Sequence, residues 1–516
     1  MARFSFKPDA SFYRKIAIGA IGVRAVQADL EPHGHELVEL ERGAAGTRIW
    51  KEVKRKRVRI PDLVCKRCGL RIECRAKTNT ELSMSHSPTD AERAWDYGMV
   101  DSDWIAFPIC RAKDEDWRRG VLHGSGSYWH ERNWVDWEVD GKINYLTVEA
   151  FRSAPSDQTR TKGVTEGSET TISWDASFST RYGLVERVNR RGITIRRECD
   201  GHAYTWRIRP GCTALVCEGQ YVGKNEAIAA PVVPVASHEL ACQSLLSQGD
   251  IEQLLTSRER TLRYTGVKLA RLRGELEHAE LIDQLAYDTE EDIYVRLEAI
   301  SYLSSIAGGS AQVHFQPYLA GADPQIQLEA VIALGEAGTL EAVKILASVI
   351  EAGDQPSFLT SAAAWALGQI GTEDAQQSLV RAFSNVSIDV REEALGGLVE
   401  LGSAAIQVLM QGLQAGEEDI EAGCAEALRQ YQALPQEAVE RIARHLGESA
   451  LDDTTSRWML WLLGHLPPEV VTPVIASLED QKPELHFALS VLWSFVNSWI
   501  SPHWELWPLP RASLED

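Results

Sequence analysis

Residues 59–77 read RIPDLVCKRCGLRIECRAK, and the rest of the chain is organised around them. Pro61-Asp62 precedes a short apolar strand, Cys65-x-x-Cys68-Gly69 marks a turn, and a second strand carries Glu73, Arg75 and Lys77. Side chains alternate along a strand with period two, so Glu73, Arg75 and Lys77 share one face while Ile72, Cys74 and Ala76 share the other. One face of a hairpin thus offers a carboxylate and two cations, with Asp62 at the entry to the preceding strand. Two acidic oxygens that meet on a divalent metal, with a cation beside them, are what phosphodiester hydrolysis needs. The metal polarises the phosphoryl oxygen and activates water, and the cation offsets the growing negative charge.

These residues resemble the PD-(D/E)xK superfamily, the restriction-endonuclease-like nucleases. The resemblance covers roughly residues 15–110 and implies Asp62 as the PD aspartate and Glu73 as the second carboxylate. It also implies Mg2+ (or Mn2+) as the metal and the main-chain carbonyl of Cys74 as a further ligand. In that family a lysine assists the attacking water. Here Arg75 stands at the lysine position and Lys77 comes two residues later. Either Arg75 replaces the lysine or Lys77 reaches in from the next position on the same face. Arginine keeps its proton and cannot act as a base. The family often places a glutamate on a helix before the PD strand, and a helical reading of Glu36–Glu41 offers Glu41 or Glu39. The plainer alternative is that Pro-Asp opens a turn and E-x-R-x-K is a solvated strand face of paired charges.

Local charge favours the first reading. From Arg48 to Lys77 twelve Lys or Arg face three acids, a net of +9 inside a protein of net charge −21. Such a reversal is the electrostatic footprint of a polyanion contact. Lys54, Arg55, Lys56, Arg57, Arg59, Lys66 and Arg67 are its candidate nucleic-acid contacts. His86, in the expected loop Ser83–Pro88, is a candidate for a phosphate or metal, against a plain surface histidine. Cys65-x-x-Cys68 has zinc-knuckle spacing, yet a structural zinc needs four ligands. Cys74 and Cys110 are the nearest further thiols, but Cys74 lies on the face opposite Glu73. Free thiols are therefore the expectation, and zinc on Cys65 and Cys68 the alternative.

The chain has 516 residues, 44% hydrophobic and 25% charged, ordinary for a globular protein of several domains. No signal-peptide pattern and no apolar run near the length of a membrane span is found. Nine scattered cysteines, an odd number, argue for a reducing cytoplasm rather than a disulfide framework. Residues 241–516 hold 16 Lys+Arg against 41 Asp+Glu, whereas residues 1–240 hold 37 against 33. An acidic module follows a locally basic one.

The fold class expected is multidomain α+β. Residues 1–110 form the restriction-endonuclease-like α/β domain, with strands over Arg57–Val64, Leu70–Lys77 and Asp103–Ile109. Residues 111–240 form an all-β, barrel-like region. Its clean alternations are Gly183–Val188, Ile193–Arg197 and Tyr204–Ile208, and Arg187, Arg190, Arg191, Arg196, Arg197, Arg207 and Arg209 give it a basic side. Ser153–Glu169 reads as a linker. Residues 241–516 turn helical and repeat. Ala299, Ala330, Ala363, Ala394 and Cys424 align at spacings of 30 to 33, each with a leucine four residues on: Leu303, Leu334, Leu367, Leu398 and Leu428. A small residue lets helices approach and the leucine fills the groove, the pattern of an α-solenoid. The repeats resemble HEAT-like repeats, and six tryptophans, from Trp458 to Trp507, read as a C-terminal cap.

Two functions follow. One is a Mg2+-dependent nuclease acting on DNA, with the solenoid docking a protein partner. Resemblance in domain make-up suggests bacterial anti-phage defence as the setting. The other is a non-catalytic nucleic-acid-binding adaptor on a decayed nuclease fold. A third, enzymatic chemistry in the repeats as in bilin lyases or the HEAT-like iron hydroxylase, has less behind it. No His-Glu pair recurs in the repeats, and a lyase leaves the basic N-terminal half unexplained.

Overall fold

The structure, a computed structural model, describes residues 10–40, 60–80, 83–86, 94–113, 137–153, 170–353, 355–431, 434–448, 453–467 and 470–471. It divides into two compact units, Met1–Gly308 and Gly309–Asp516.

In the first unit a long helix, α1 (Ala10–Leu30), leads into strand β1 (Leu37–Glu39), β2 (Leu63–Cys65) and β3 (Arg71–Cys74). After β4 (Ser83–His86) come β5 (Trp104–Phe107), β6 (Cys110–Ala112), β7 (Trp137–Val139) and β8 (Asn144–Thr147). Five of these make one mixed sheet in the order β1-β2-β3-β5-β8. β1, β2 and β3 are successively antiparallel, and β5 lies parallel to β3. The fifth strand, Asn144–Thr147, pairs antiparallel with β5, so the sheet draws on chain well past residue 110, where the sequence reading ended its first domain.

Both faces of this sheet are covered, and β5 shows how. Its residues are all buried, with Trp104 and Ala106 in a cluster with Val26 and Leu30 of α1. Ile105 and Phe107 turn to a second cluster with Met84, Phe151 and Trp174. A strand covered on both sides reads as a continuous apolar run, which is how WIAF was recognised. α1 lies close enough that a Cβ on Gly22 would sit 2.5 Å from Ala76 Cβ and 3.4 Å from Cys74 Sγ.

Two expected elements differ. Within the helix expected over Glu36–Glu41, residues Leu37–Glu39 form strand β1, with Val38 opposite Val64 and Glu39 opposite Leu63. Left-handed Gly34 (φ +87°) closes the preceding 3-10 turn, and six residues are too few to nucleate a helix once a strand edge is offered. Ser83–His86, expected as a loop, pairs with β9 (Thr170–Ser173).

The rest of the β region is open rather than barrel-like. It comprises β10 (Ser177–Phe178), β11 (Gly183–Asn189), β12 (Gly192–Arg197), β13 (Ala203–Arg207), β14 (Thr213–Ala214), β15 (Tyr221–Val222) and β16 (Ala227–Ala230). Among the described residues these form a three-stranded sheet, β10-β16-β14, and a four-stranded one, β13-β12-β11-β15, whose edge strands do not pair with each other. Seven strands this short cannot supply the continuous stagger that closure requires.

Helices Ile251–Leu255, Arg260–Arg273, Ala279–Tyr287 and Ile293–Ser305 complete the first unit. Among its described residues the second unit is built of helices and turns, with no strand. Helices Pro324–Ala337, Ser357–Ile370, Ile388–Glu400 and Glu418–Arg429 stack in sequence, each followed by a partner helix. The aligned small residues Ala330, Ala363, Ala394 and Cys424 and their leucines Leu334, Leu367, Leu398 and Leu428 are all fully buried. Asp323 and Thr339 cap helix starts through backbone N–H groups, and Gly338 and Gly371 end helices in the left-handed region. No single described helix is long and apolar enough to cross a membrane.

Gly396 and Gly397 lie side by side in one helix with opposite surroundings. A Cβ on Gly396 meets nothing within 4 Å, whereas on Gly397 it meets Gly368 Cα of the neighbouring helix at 3.1 Å. Gly396→Ala should therefore gain about 0.5–1 kcal/mol through reduced backbone entropy of the unfolded chain. Gly397→Ala should lose on the order of 1 kcal/mol by overpacking against backbone. Urea denaturation of the two variants beside the parent protein reads both signs.

Candidate functional site

Asp62 precedes β2 and Glu73 lies in β3, and the ladder pairs Leu63 with Ile72. One step outward the ladder ends, with Asp62 in a bend level with Glu73. Leu63 and Ile72 belong to the cluster beneath α1, so Glu73, next to Ile72 in β3, projects from the other face of the sheet. The structure brings these two sequence-predicted residues together.

Their surroundings are specific. The backbone N–H of Cys74 donates to Asp62 Oδ2 at 2.8 Å, tying this carboxylate to the strand that bears Glu73. Glu73, 7% exposed, accepts an ion pair from Arg75 at 2.6 Å. The Glu73 carboxylate raises the Arg75 guanidinium above its usual value, burial works against this, and Asp62 adds to the rise. Arg75 thus supplies the positive charge that lets two carboxylates lie close together. Lys77 bridges to Ile109 through its backbone, one same-face position beyond Arg75. Cys74 turns to α1, where burial first, then Asp62 and Glu73, push its thiol well above the usual range.

Other expected contacts are distributed differently. Lys66 and Arg67 sit at the closed end of the hairpin beside Glu36, at 3.3 and 4.0 Å. Lys66 is four residues from Asp62, about 13 Å along the chain at ~3.3 Å per residue. The two cations do not flank the carboxylates. Arg71, counted in the basic stretch, is a structural residue. It is 3% exposed and donates to Asp103 Oδ2 at 2.7 Å, with Thr265 and the Gly98 carbonyl each at 3.2 Å. Burial raises the Asp103 carboxyl, and Arg71 offsets this only in part. Glu41, Lys54, Arg55, Lys56, Arg57 and Arg59 lie outside the described residues, as does the side chain of His86, whose backbone pairs with Thr170. Of the arginines on the middle sheets, Arg196 pairs with Glu186, Arg197 with Asp200 and Arg209 with Asp175. Trp174, just after β9, is a core residue, 1% exposed.

A second cluster lies at the closed end of the same hairpin. Cys65, Cys68, His35 and Cys242 are all buried, and one ligand atom of each falls within 4.8 Å of the others. Cys65 and Cys68 were legible as a pair, whereas His35 and Cys242 were not. Cys242 is 177 residues from Cys65, and only an unassigned surplus of cysteines hinted at it. Cys74 and Cys110, the further thiols considered, belong elsewhere. Cys110 is buried beside Ile18 and Trp137.

Comparison with known proteins bears on the helical part. Residues 313–394 match the family model for HEAT repeats. No curated protein matches the chain. Among solved structures it is similar to human deoxyhypusine hydroxylase in complex with glycerol, at 17% identity over 44% of this chain and 99% of that one, TM-score 0.20. It is similar to YIBA_ECOLI at 15% identity over 48% and 91%, TM-score 0.24. A third is the structure in which Kap95p binding switches the loops of RanGDP, at 16% identity over 45% and 35%, TM-score 0.22. Scores this low identify nothing beyond what the HEAT-repeat match already gives.

The buried pair at the base of β3 is open to a stability test. Asp103→Ala leaves Arg71 charged and buried, which should cost about 3–5 kcal/mol. Arg71→Met with Asp103→Leu removes both charges and should cost less than Asp103→Ala alone. Equilibrium unfolding in urea by circular dichroism ranks the two.

Proposed function

We propose that the first unit is a divalent-metal-dependent nuclease hydrolysing DNA phosphodiesters and that the HEAT-repeat unit docks a protein partner. The observation that carries the reading is the meeting of two carboxylates at the open end of the hairpin, Asp62 bonded to the Cys74 N–H and the adjacent Glu73 ion-paired to Arg75. Hard carboxylate oxygens at one hairpin end suit Mg2+ or Mn2+, and Asp62, Glu73 and the Cys74 carbonyl are the residues that would hold it. Bound there, the ion supplies Lewis acidity and an activated water. The chain's own part is positioning. Cys74 N–H holds the Asp62 carboxylate in place, and Arg75 offers a fixed positive charge to the phosphoryl oxygens as negative charge builds. Arg75 takes up no proton, so proton removal from water falls to a carboxylate or to Lys77. A setting in defence against foreign DNA rests on the domain make-up alone.

Docking by the repeats is supported by composition and exposure. The half from residue 241 is strongly acidic, and Val386 and Ile388, between two repeats, are 96% and 62% exposed. A basic partner with an apolar anchor matches such a surface.

A second reading, an adaptor that binds nucleic acid without cutting it, is favoured by one observation. Glu73 is already neutralised by Arg75 at 2.6 Å, and nothing at that position can act as a base. Incubation of the full chain with supercoiled plasmid, single-stranded DNA and RNA, with and without Mg2+ or Mn2+, separates the readings. Metal-dependent cleavage should appear in the parent protein and fall by on the order of 10³-fold in Asp62→Ala and Glu73→Ala, matching the several kcal/mol a metal ion contributes. Arg75→Lys should keep cleavage and Arg75→Ala should lose it. Binding without cleavage in the parent would establish the adaptor, and cleavage surviving both carboxylate changes would remove this site from the reaction.

A further inference from the structure

We propose that His35, Cys65, Cys68 and Cys242 form a closed structural zinc site that pins the end of the β2–β3 hairpin to two distant parts of the chain. This inference is independent of the nuclease reading.

The geometry is that of a tetrahedral site. With Zn–S about 2.3 Å and Zn–N about 2.05 Å, a tetrahedron puts two sulfurs about 3.8 Å apart and a sulfur about 3.6 Å from the nitrogen. Cys65 Sγ and Cys242 Sγ are 3.9 Å apart, and Cys68 Sγ is 3.6 Å from His35 Nδ1. The Cys65–Cys242 spacing fits a centre shared by the two sulfurs and is far too long for a disulfide, whose S–S bond is about 2.05 Å.

The donors are prepared for a cation. His35 Nε2 lies 2.5 Å from the Leu240 carbonyl, which can only accept, so Nε2 carries the proton and Nδ1 turns its lone pair to the sulfurs. A ring nitrogen held by a backbone carbonyl behind the ligating one is the usual support of a metal-bound histidine. Three buried sulfurs and one imidazole nitrogen converge within 4.8 Å of one another, and a divalent cation is what lets thiolates sit that close together.

The surrounding fold is built to hold this end still. Gly69 N–H bonds to the Cys65 carbonyl and Cys65 N–H to the Leu70 carbonyl, forming the tight knuckle, with Gly69 at φ +76°. A Cβ on Gly69 would lie 2.5 Å from Gly249 Cα, so the knuckle packs directly on the segment that Cys242 begins. Arg273 locks the same junction, donating to the carbonyls of Lys66, Arg67 and Gly249 at 2.6, 3.0 and 2.9 Å. With all four positions taken by protein, no site is left for substrate, and the role is structural.

The test is metal analysis of the full chain, purified without added metal or chelator. One zinc per chain is expected, with an X-ray absorption spectrum fitted by three sulfurs and one nitrogen. Cobalt substitution should give sulfur-to-metal charge-transfer absorption with tetrahedral ligand-field bands. Cys242→Ala and His35→Ala should bring zinc below half occupancy, whereas Cys74→Ala and Cys110→Ala should leave it at one. A parent chain carrying no zinc, whether its thiols titrate free or mass analysis finds a disulfide among the three cysteines, would overturn the proposal. So would an absorption spectrum dominated by oxygen ligands. Spectrum and stoichiometry are read on the unaltered protein, so poor folding of a variant does not blunt the test.

Discussion

Arg71 is the constraint on which the first unit depends. Its guanidinium lies in the sheet's second face, salt-bridged to Asp103, and reaches Thr265 on helix Arg260–Arg273. Asp103 in turn accepts the Val100 N–H just before β5, so one carboxylate fixes both β3 and the strand parallel to it. Two ions this deeply buried are stable only when nearly every donor and acceptor is matched. The Arg71 Nε alone has no protein partner. Because Arg71 and Glu73 share a strand face, the bond that sets the sheet also decides where Glu73 projects.

That dual use explains what the sequence could and could not disclose. RIPDLVCKRCGLRIECRAK announced two strands, a knuckle and the face shared by Glu73, Arg75 and Lys77, because period-two alternation is a local property. It did not announce that Arg71 is a core residue, since burial of an arginine depends on Asp103, Thr265 and the Gly98 carbonyl, none of them near in sequence. Net charge counted Arg71 with Lys66 and Arg67, whereas the structure separates a buried cation from a half-buried one and an exposed one. The segment Glu36–Glu41 misled for a related reason. Its charges fit a helix face and its alternating apolar residues fit a strand, and the vacant edge of β2 decided between them.

The repeats were legible because their information is also local and recurs. A small residue with a leucine four positions on, repeated at about thirty, leaves one way to bury every copy: stacking the helices against their neighbours. Gly368 and Gly397 carry the logic furthest, with backbones so close that a Cβ on Gly368 would lie 3.0 Å from Gly397 Cα. The middle β region lacked such recurrence. Alternation marked its strands, but alternation is the same in a barrel and an open sheet, and only pairing of the edge strands tells them apart.

The two ends of the β2–β3 hairpin divide the chemistry of this unit. At the open end stand carboxylates, hard oxygen donors beside a guanidinium. At the closed end stand three sulfurs and an imidazole, soft and borderline donors in a dry pocket. Divalent ions sort themselves by such ligands, with thiolates selecting zinc and carboxylates magnesium or manganese. Three residues of strand separate the donor sets. A single ion therefore cannot bridge them, and a thiolate cannot displace an oxygen ligand at the other end. A hairpin held by the knuckle at one end and by the Arg71 pair on its second strand has little freedom to slip. A one-residue slip would turn Glu73 to the face occupied by α1. The precision with which Asp62 meets Glu73 is thus inherited from contacts that take no part in their chemistry.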